Sequence, residues 1–239
     1  MSETAVSALL QALSIPLVLT GWIEYILENP GSFATMLREH LQMVVIGVTA
    51  AIAVAVPAGI AATRHQAVGT AVMNMGAIAQ TVPPLGVIAL TFAFLGVGPR
   101  PAILALFLYG LLPILKNTTA GIRNVEAAQV EAGRGMGMTR LQRLWRIELP
   151  LALPVIIAGI RTTIVLSVGI AYLGAFIGAG GLGQWIILGQ QRYANEILLA
   201  GAIPGAVLVI VLDQTFGWLG ARISPVESST DDHTQSTVA

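Results

Sequence analysis

The chain has 239 residues, of which 55% are hydrophobic and only 10% charged, and its mean hydropathy is +0.80. A soluble domain covers its surface with about 25% charged residues, so this composition excludes a secreted, cytosolic or nucleic-acid-binding domain and makes lipid the main solvent. Twelve Lys/Arg balance twelve Asp/Glu, and the lack of cysteine excludes disulfides, thiolate metal sites and a cysteine nucleophile.

About 20 mostly apolar residues cross the hydrocarbon core, so the distances between charges measure the spans. The uncharged stretch Ala5 to Ile23 predicts a first helix. A signal peptide is the alternative, but Glu3 stands where a basic n-region belongs and no clear small-residue cleavage pattern follows. Residues 24–40 are polar, with Phe33, Met36, Leu37 and Leu41 at helical spacing, which predicts a short helix on the outer surface. Leu41 to Thr63 predicts the second span, closed by Arg64 and His65. The uncharged run from Gln66 to Pro99 is too long for one straight helix and too short for two spans with a turn. Pro83-Pro84 sits in its middle and removes two backbone donors, which predicts one kinked span from about Ala67 to Leu95. Ala102 to Leu115, Leu149 to Leu173 and Ile197 to Gly220 bring the total to six. The Ser-, Thr- and Asp-rich residues 223–239 predict a disordered tail.

Charge orients these spans. Lys116, Arg123, Arg134, Arg140, Arg143 and Arg146 are half of all the basic residues, and positive loops stay cytoplasmic. Arg64 and His65 belong on that side too, which one kinked span followed by one straight span allows. Both termini are then expected in the cytoplasm, with Arg38, Arg100 and Arg192 outside and Arg161 within a span.

The basic loop, expected over residues 116–149, is longer than a connector needs. Val125 to Ala132 favours helix, Gly133, Gly135 and Gly137 allow a sharp turn, and Thr139 is suited to cap a second helix. Leu141, Leu144 and Trp145 fall on one face of that second helix, and Pro150 is expected to stop it before the next span. The product is a pair of short helices standing out of the membrane.

Here the sequence resembles the permease subunits of ABC importers, whose cytoplasmic motif reads Glu-Ala-Ala, three residues, Gly, nine residues, Ile-x-Leu-Pro. Glu131, Ala132, Gly133, Gly137, Ile147, Leu149 and Pro150 fall on that spacing without a gap, with glycine replacing the second alanine. Residues 41–222 are also similar to the branch that imports glycine betaine, choline and related osmoprotectants. The segments that carry this likeness are Gln80 to Pro84, Ala102 to Thr118, Ala158 to Thr162 and Ile177 to Gly183. The resemblance implies an all-α polytopic membrane protein of the type I importer class, a five-helix core plus an N-terminal helix, in the inner (plasma) membrane. It also implies a separate cytoplasmic ATP-binding subunit, an extracytoplasmic substrate-binding protein and a second permease copy or paralogue. The subunit itself is expected to be no enzyme and to hold no cofactor or metal. On this reading Glu131 pairs with a basic group of the ATPase, Gly137 permits the bend, and Met136, Met138, Leu141 and Leu144 supply apolar contacts.

Within the membrane, Arg161 and Asp213 are costly enough to suggest a role, either a structural pair fixing two helices or a functional site. Gly174, Gly178, Gly180, Gly181 and Gly183 indicate either close helix packing or a broken segment that gates the outer end of the pathway. Asn74, Gln80 and Thr81, on the span broken by Pro83 and Pro84, are candidates to line the pathway. An intramembrane enzyme would need a nucleophile and base inside the bilayer, whereas His40, His65 and His233 fall at membrane edges or in the tail. A secondary transporter usually shows internal repeats, and these six spans do not. An importer of methionine or another amino acid is the alternative within the same class.

Overall fold

A computed structural model describes residues 20–223. Among them every regular element is helical, in the order α1 (residues 20–28), α2 (Pro30–Arg64), α3 (Gln66–Thr81), α4 (Pro84–Leu95), α5 (Pro99–Arg123), α6 (Ala127–Gly135), α7 (Arg140–Arg143), α8 (Leu149–Ala171), α9 (Gly183–Arg192) and α10 (Asn195–Ile223). A π turn over Leu144–Glu148 joins α7 to α8, and a 3-10 turn over Tyr172–Ile177 follows α8. Four helices are long and apolar enough to cross a membrane, or five if the bent pair α3–α4 counts as one span. Most of the first expected span, residues 5–19, and the expected tail from 224 onward lie outside the described residues.

Pro30 starts α2 because a proline costs no hydrogen bond in a first helical turn. No break then follows near residue 40, so the expected surface helix and second span form one helix of 35 residues, about 52 Å long. Phe33 and Met36 do not lie on a lipid surface as the sequence predicts. They pack with Trp22 and Tyr25 around the buried Trp185 of α9, where the rings of Phe33 and Tyr25 stand 5.9 Å and 5.1 Å from the indole.

The expected kinked span is a sharper feature. α3 and α4 meet at 93°, and Val82 and Pro83 are both extended, with ψ of 130° and 142°. Each precedes a proline, whose ring clashes with a helical predecessor, so the tandem pair breaks the helix rather than bending it.

Two further boundaries differ from the sequence reading. α5 runs on to Arg123, so Lys116 and Arg123 belong to a helix and the connecting loop begins at Asn124, not at 116. Packing extends it: Thr118, Thr119, Gly121 and Ile122 are buried beyond the predicted end. Pro150 does not stop the second loop helix either. It lies in the first turn of α8, and the π turn before it carries the chain from α7 into the span without a break.

The core is the trio α2, α5 and α8, joined through Met43, Val44, Val48, Ala102, Leu106, Ile164 and Val168. Small residues let the backbones approach: a side chain at Gly47 would overlap Leu106, and one at Gly110 would press on Thr163 and Ala51. Hydroxyls add hydrogen bonds between helices, Thr163 Oγ1 donating to the Gly110 carbonyl (3.3 Å) and Thr119 Oγ1 to that of Gly59 (3.4 Å). The α3–α4 break packs on one side of this trio through Val87, Ile88, Ala105 and Tyr109.

Candidate functional site

The paired helices between α5 and α8 are set by local hydrogen bonds. Gly137 takes φ of 77°, its N–H donates to the Arg134 carbonyl (3.0 Å), and the Met138 N–H donates to Gly133 (3.1 Å). This is a Schellman ending, and the left-handed residue it requires is glycine at little cost. Two residues later α7 opens with a capping box: Gln142 N–H donates to Thr139 Oγ1 (3.3 Å), and Thr139 N–H donates to Gln142 Oε1 (2.8 Å). Arg143 ties the turn back by donating to the Met138 carbonyl (3.2 Å).

The motif residues divide into inward and outward groups. Gly133 is buried, and a Cβ there would overlap the Ile147 side chain. The glycine that departs from Glu-Ala-Ala therefore sits where α6 closes on the far end of the motif. Leu144 and Leu149 pack against Ile122, Ala152 and Ile156, so Leu144 is not on the exposed face with Leu141 and Trp145. Met138 and Ile147 are half-buried and Pro150 is exposed. Glu131 and Ala132 are exposed. Met136, Leu141 and Trp145 are exposed at 69%, 65% and 65%, an apolar surface that water alone would not favour.

Glu148, the unspecified residue inside Ile-x-Leu-Pro, is buried and ion-paired with Arg64 at the end of α2. Arg123 of α5 donates to the Ala62 carbonyl nearby (3.3 Å). Both roots of the loop helices, at the end of α5 and the start of α8, are thus tied to the end of α2. Asn74 lies at this same end, lining a groove of about 680 Å³ with Thr63, Thr70, Thr119 and Arg123.

The other candidates are scattered along the bundle. Gln80 donates to the Tyr109 carbonyl (3.3 Å), which Pro113, four residues on, cannot bond because it has no N–H. Thr81 turns back on its own helix, bonding Ile78, and Pro83 and Pro84 make the break. Arg161 and Asp213 meet in a two-pronged pair, Nε to Oδ1 at 2.5 Å and Nη2 to Oδ2 at 2.6 Å, joining α8 to α10. Both side chains stay partly exposed, at 40% and 31%.

The glycine segment is non-helical, with φ of 70°, 85° and 81° at Gly178, Gly180 and Gly181, while Gly183 begins α9 against the Tyr172 carbonyl. It rests on a residue pair that the sequence reading did not single out. Gly181 N–H donates to Glu39 Oε2 (3.0 Å), and a side chain at Gly180 would overlap that carboxylate. His40, expected at a membrane edge, is fully buried beside it. Its Nε2 lies 3.1 Å from the Val168 carbonyl, and its ring stands edge-on to Tyr172.

Residues 55–225 match the family described as the inner membrane component of binding-protein-dependent transport systems. The chain belongs to that family. It is 41% identical over 215 residues to the carnitine transport permease protein OpuCD of Listeria monocytogenes, covering 90% of this chain and 96% of that one. It is 42% identical over 204 residues to the glycine betaine/carnitine/choline transport system permease protein OpuCD of Bacillus subtilis, covering 85% and 89%. The fold is shared with the inward-facing MetNI methionine ABC transporter, at TM-score 0.71 and 22% identity over 83% of this chain and 99% of that one.

This multi-pass permease therefore has the helical importer fold that its loop motif implied. Two features eluded the motif reading, the Arg64–Glu148 pair and the Glu39–His40 seat of the glycine segment. For the first a signal existed: Glu148 is an acid in a basic stretch just before an apolar span, and such a residue needs a cation. For the second nothing local distinguishes Glu39 from the other charges near the start of α2.

Proposed function

We propose that the chain is the membrane-spanning subunit of an ATP-driven importer for small quaternary ammonium osmoprotectants such as glycine betaine, choline or carnitine. ATP is hydrolysed on a separate cytoplasmic subunit that docks on α6 and α7, and solute is delivered by an extracytoplasmic binding protein. The pathway is completed by a second permease copy or a paralogue. The observation that carries this reading is the exposed pair of helices bearing Glu131, Met136, Leu141 and Trp145, rooted through Glu148 in the core. A docked subunit that moves them moves α2 and α8 as well. The likeness to permeases named for carnitine, glycine betaine and choline supports the substrate class.

Orientation follows from charge: both termini and the 124–146 region face the cytoplasm, and Arg38, Arg100 and Arg192 face outward. The chain contains no cysteine, so single-cysteine variants test this directly. Arg100→Cys is expected to react with an impermeant thiol reagent from outside, and reaction only from the cytoplasmic side overturns the orientation. Uptake of labelled glycine betaine, choline, carnitine and methionine in a strain lacking other importers tests the substrate. Uptake of methionine alone refutes the osmoprotectant reading and leaves the ATP-driven importer standing.

A further inference from the structure

The end of the bundle away from the loop helices holds a pocket of about 380 Å³ where residues 38–46 of α2 and the start of α5 meet the glycine segment. Glu39 lies roughly 37 Å along α2 from Arg64, at 1.5 Å per residue. This mouth and the loop helices therefore lie far apart along the same helix. Its floor and walls combine two kinds of chemistry. Arg38, Glu39, Gln42 and Gln184 bring polar groups, and Ile46 and Ile103 bring apolar ones.

The two charges are adjacent in sequence, and both line the pocket without satisfying each other. Among the described residues Arg38 has no hydrogen-bond or ion-pair partner, and Glu39 spends one oxygen on the Gly181 N–H and leaves the other without a partner. The carboxylate is held in place from behind. Gly180 and Gly181 adopt left-handed backbone that brings the segment against it, with no room for a Cβ at Gly180. The buried His40 seats the next position of α2 against the Val168 carbonyl. A fixed anion and a free guanidinium side by side, with methyl-lined walls, match a small zwitterion.

We propose that this pocket is an entry-side subsite for a zwitterionic solute, with Glu39 facing the quaternary ammonium and Arg38 the carboxylate. This rests on the substrate class given above. A quaternary ammonium cannot donate a hydrogen bond, so it is recognised by charge and by contact with its methyl groups. Cation–π cages are one solution and a carboxylate beside aliphatic side chains is another. A carboxylate accepts two parallel bonds from a guanidinium, which makes arginine the selective half of the site.

The consequence is a split in substrate preference that a structural role would not produce. Glycine betaine and carnitine carry both charges, and choline carries only the cation. In the assembled transporter, Arg38→Gln is expected to lower uptake of glycine betaine and carnitine about tenfold and to leave choline within about twofold. Glu39→Gln keeps an oxygen to accept the Gly181 N–H while removing the charge, and is expected to lower uptake of all three. Thermal unfolding of the solubilised variants at the wild-type temperature reports that the glycine segment stays seated. Should Glu39→Gln unfold, Arg38→Gln decides by itself, because Arg38 is exposed and bonds nothing among the described residues. Equal loss of choline and the zwitterions in Arg38→Gln, or wild-type uptake of all three in Arg38→Gln, overturns the subsite while wild-type uptake of these solutes upholds the importer. Failure of the wild-type transporter to take up any of the three overturns the substrate class and the subsite together.

Discussion

The two ends of the molecule are built on different principles. At the end that carries the loop helices, the turn between α6 and α7 closes through bonds three to five residues apart, from Gly133 to Gln142. At the opposite end Glu39 reaches Gly181 and His40 reaches Val168, across 142 and 128 positions of the chain. A locally closed unit holds its shape while its whole surface is presented to a partner. A site assembled from distant segments changes whenever the helices that carry those segments shift. Arg64 and Glu148, 84 positions apart, are the point where the local unit is joined to the long-range bundle.

Substitutions separate the two kinds of construction. Gly180 and Gly137 both have positive φ, but a Cβ at Gly180 would overlap Glu39 and one at Gly137 would meet nothing within 4 Å. Gly180→Ala adds overpacking of about 1–3 kcal/mol to the left-handed cost of about 1–2 kcal/mol, whereas Gly137→Ala carries only the latter. Thermal unfolding in detergent is expected to show the larger loss at Gly180, and equal losses would erase the contrast between an enclosed and an open turn.

Arg64→Ala leaves Glu148 buried without its cation. Removing one partner of a buried pair costs about 3–5 kcal/mol, reduced here because the Arg64 side chain is 40% exposed and water reaches the site, so a loss of about 2 kcal/mol is expected. Glu148→Gln in the Arg64→Ala background is expected to restore part of it, and a double variant no more stable than Arg64→Ala contradicts the pairing. Substrate-stimulated ATP hydrolysis is expected to fall with the pair broken.

Thr139→Ala removes one hydrogen bond at the start of α7 and is expected to cost about 1 kcal/mol. The effect belongs to the local unit. Hydrogen exchange is expected to quicken over residues 138–144 with no change at 178–183, and change at both ends would mean that the ends are coupled more tightly than their bonding indicates. The smallest stability effect is expected from Leu141→Ser or Trp145→Ser, within about 0.5 kcal/mol because both side chains are exposed. These changes are nevertheless expected to reduce ATPase stimulation and uptake, and normal coupling in both variants would remove this face from the docking surface.

What could be read in advance follows the same division. The Thr139 cap and the glycine-rich turn are legible because the side chain and the backbone groups it satisfies are neighbours in sequence. Pro83-Pro84 is legible as an interruption, but its sharpness depends on two successive residues each preceding a proline, which a count of lost donors does not capture. A regular helical period places Leu144 with Leu141 and Trp145. The π turn that begins at Leu144 ends that period, and the residue packs on Ile122 and Ile156.

By itself the sequence determined the membrane environment, the helical class, the apolar centres of the described long helices and the local form of the turn between α6 and α7. Each depends on hydropathy or on bonds within a few residues. Only the tertiary structure decided that α2 runs unbroken through residue 40, that α5 continues to Arg123, that Gln80 serves the carbonyl freed by Pro113, and that Arg64 and Glu39 find Glu148 and Gly181. These outcomes depend on which helices lie side by side and at what height. In an apolar chain packed through glycine and threonine, that alignment is set by close backbone approach over the whole contact, and no periodicity within one helix records it.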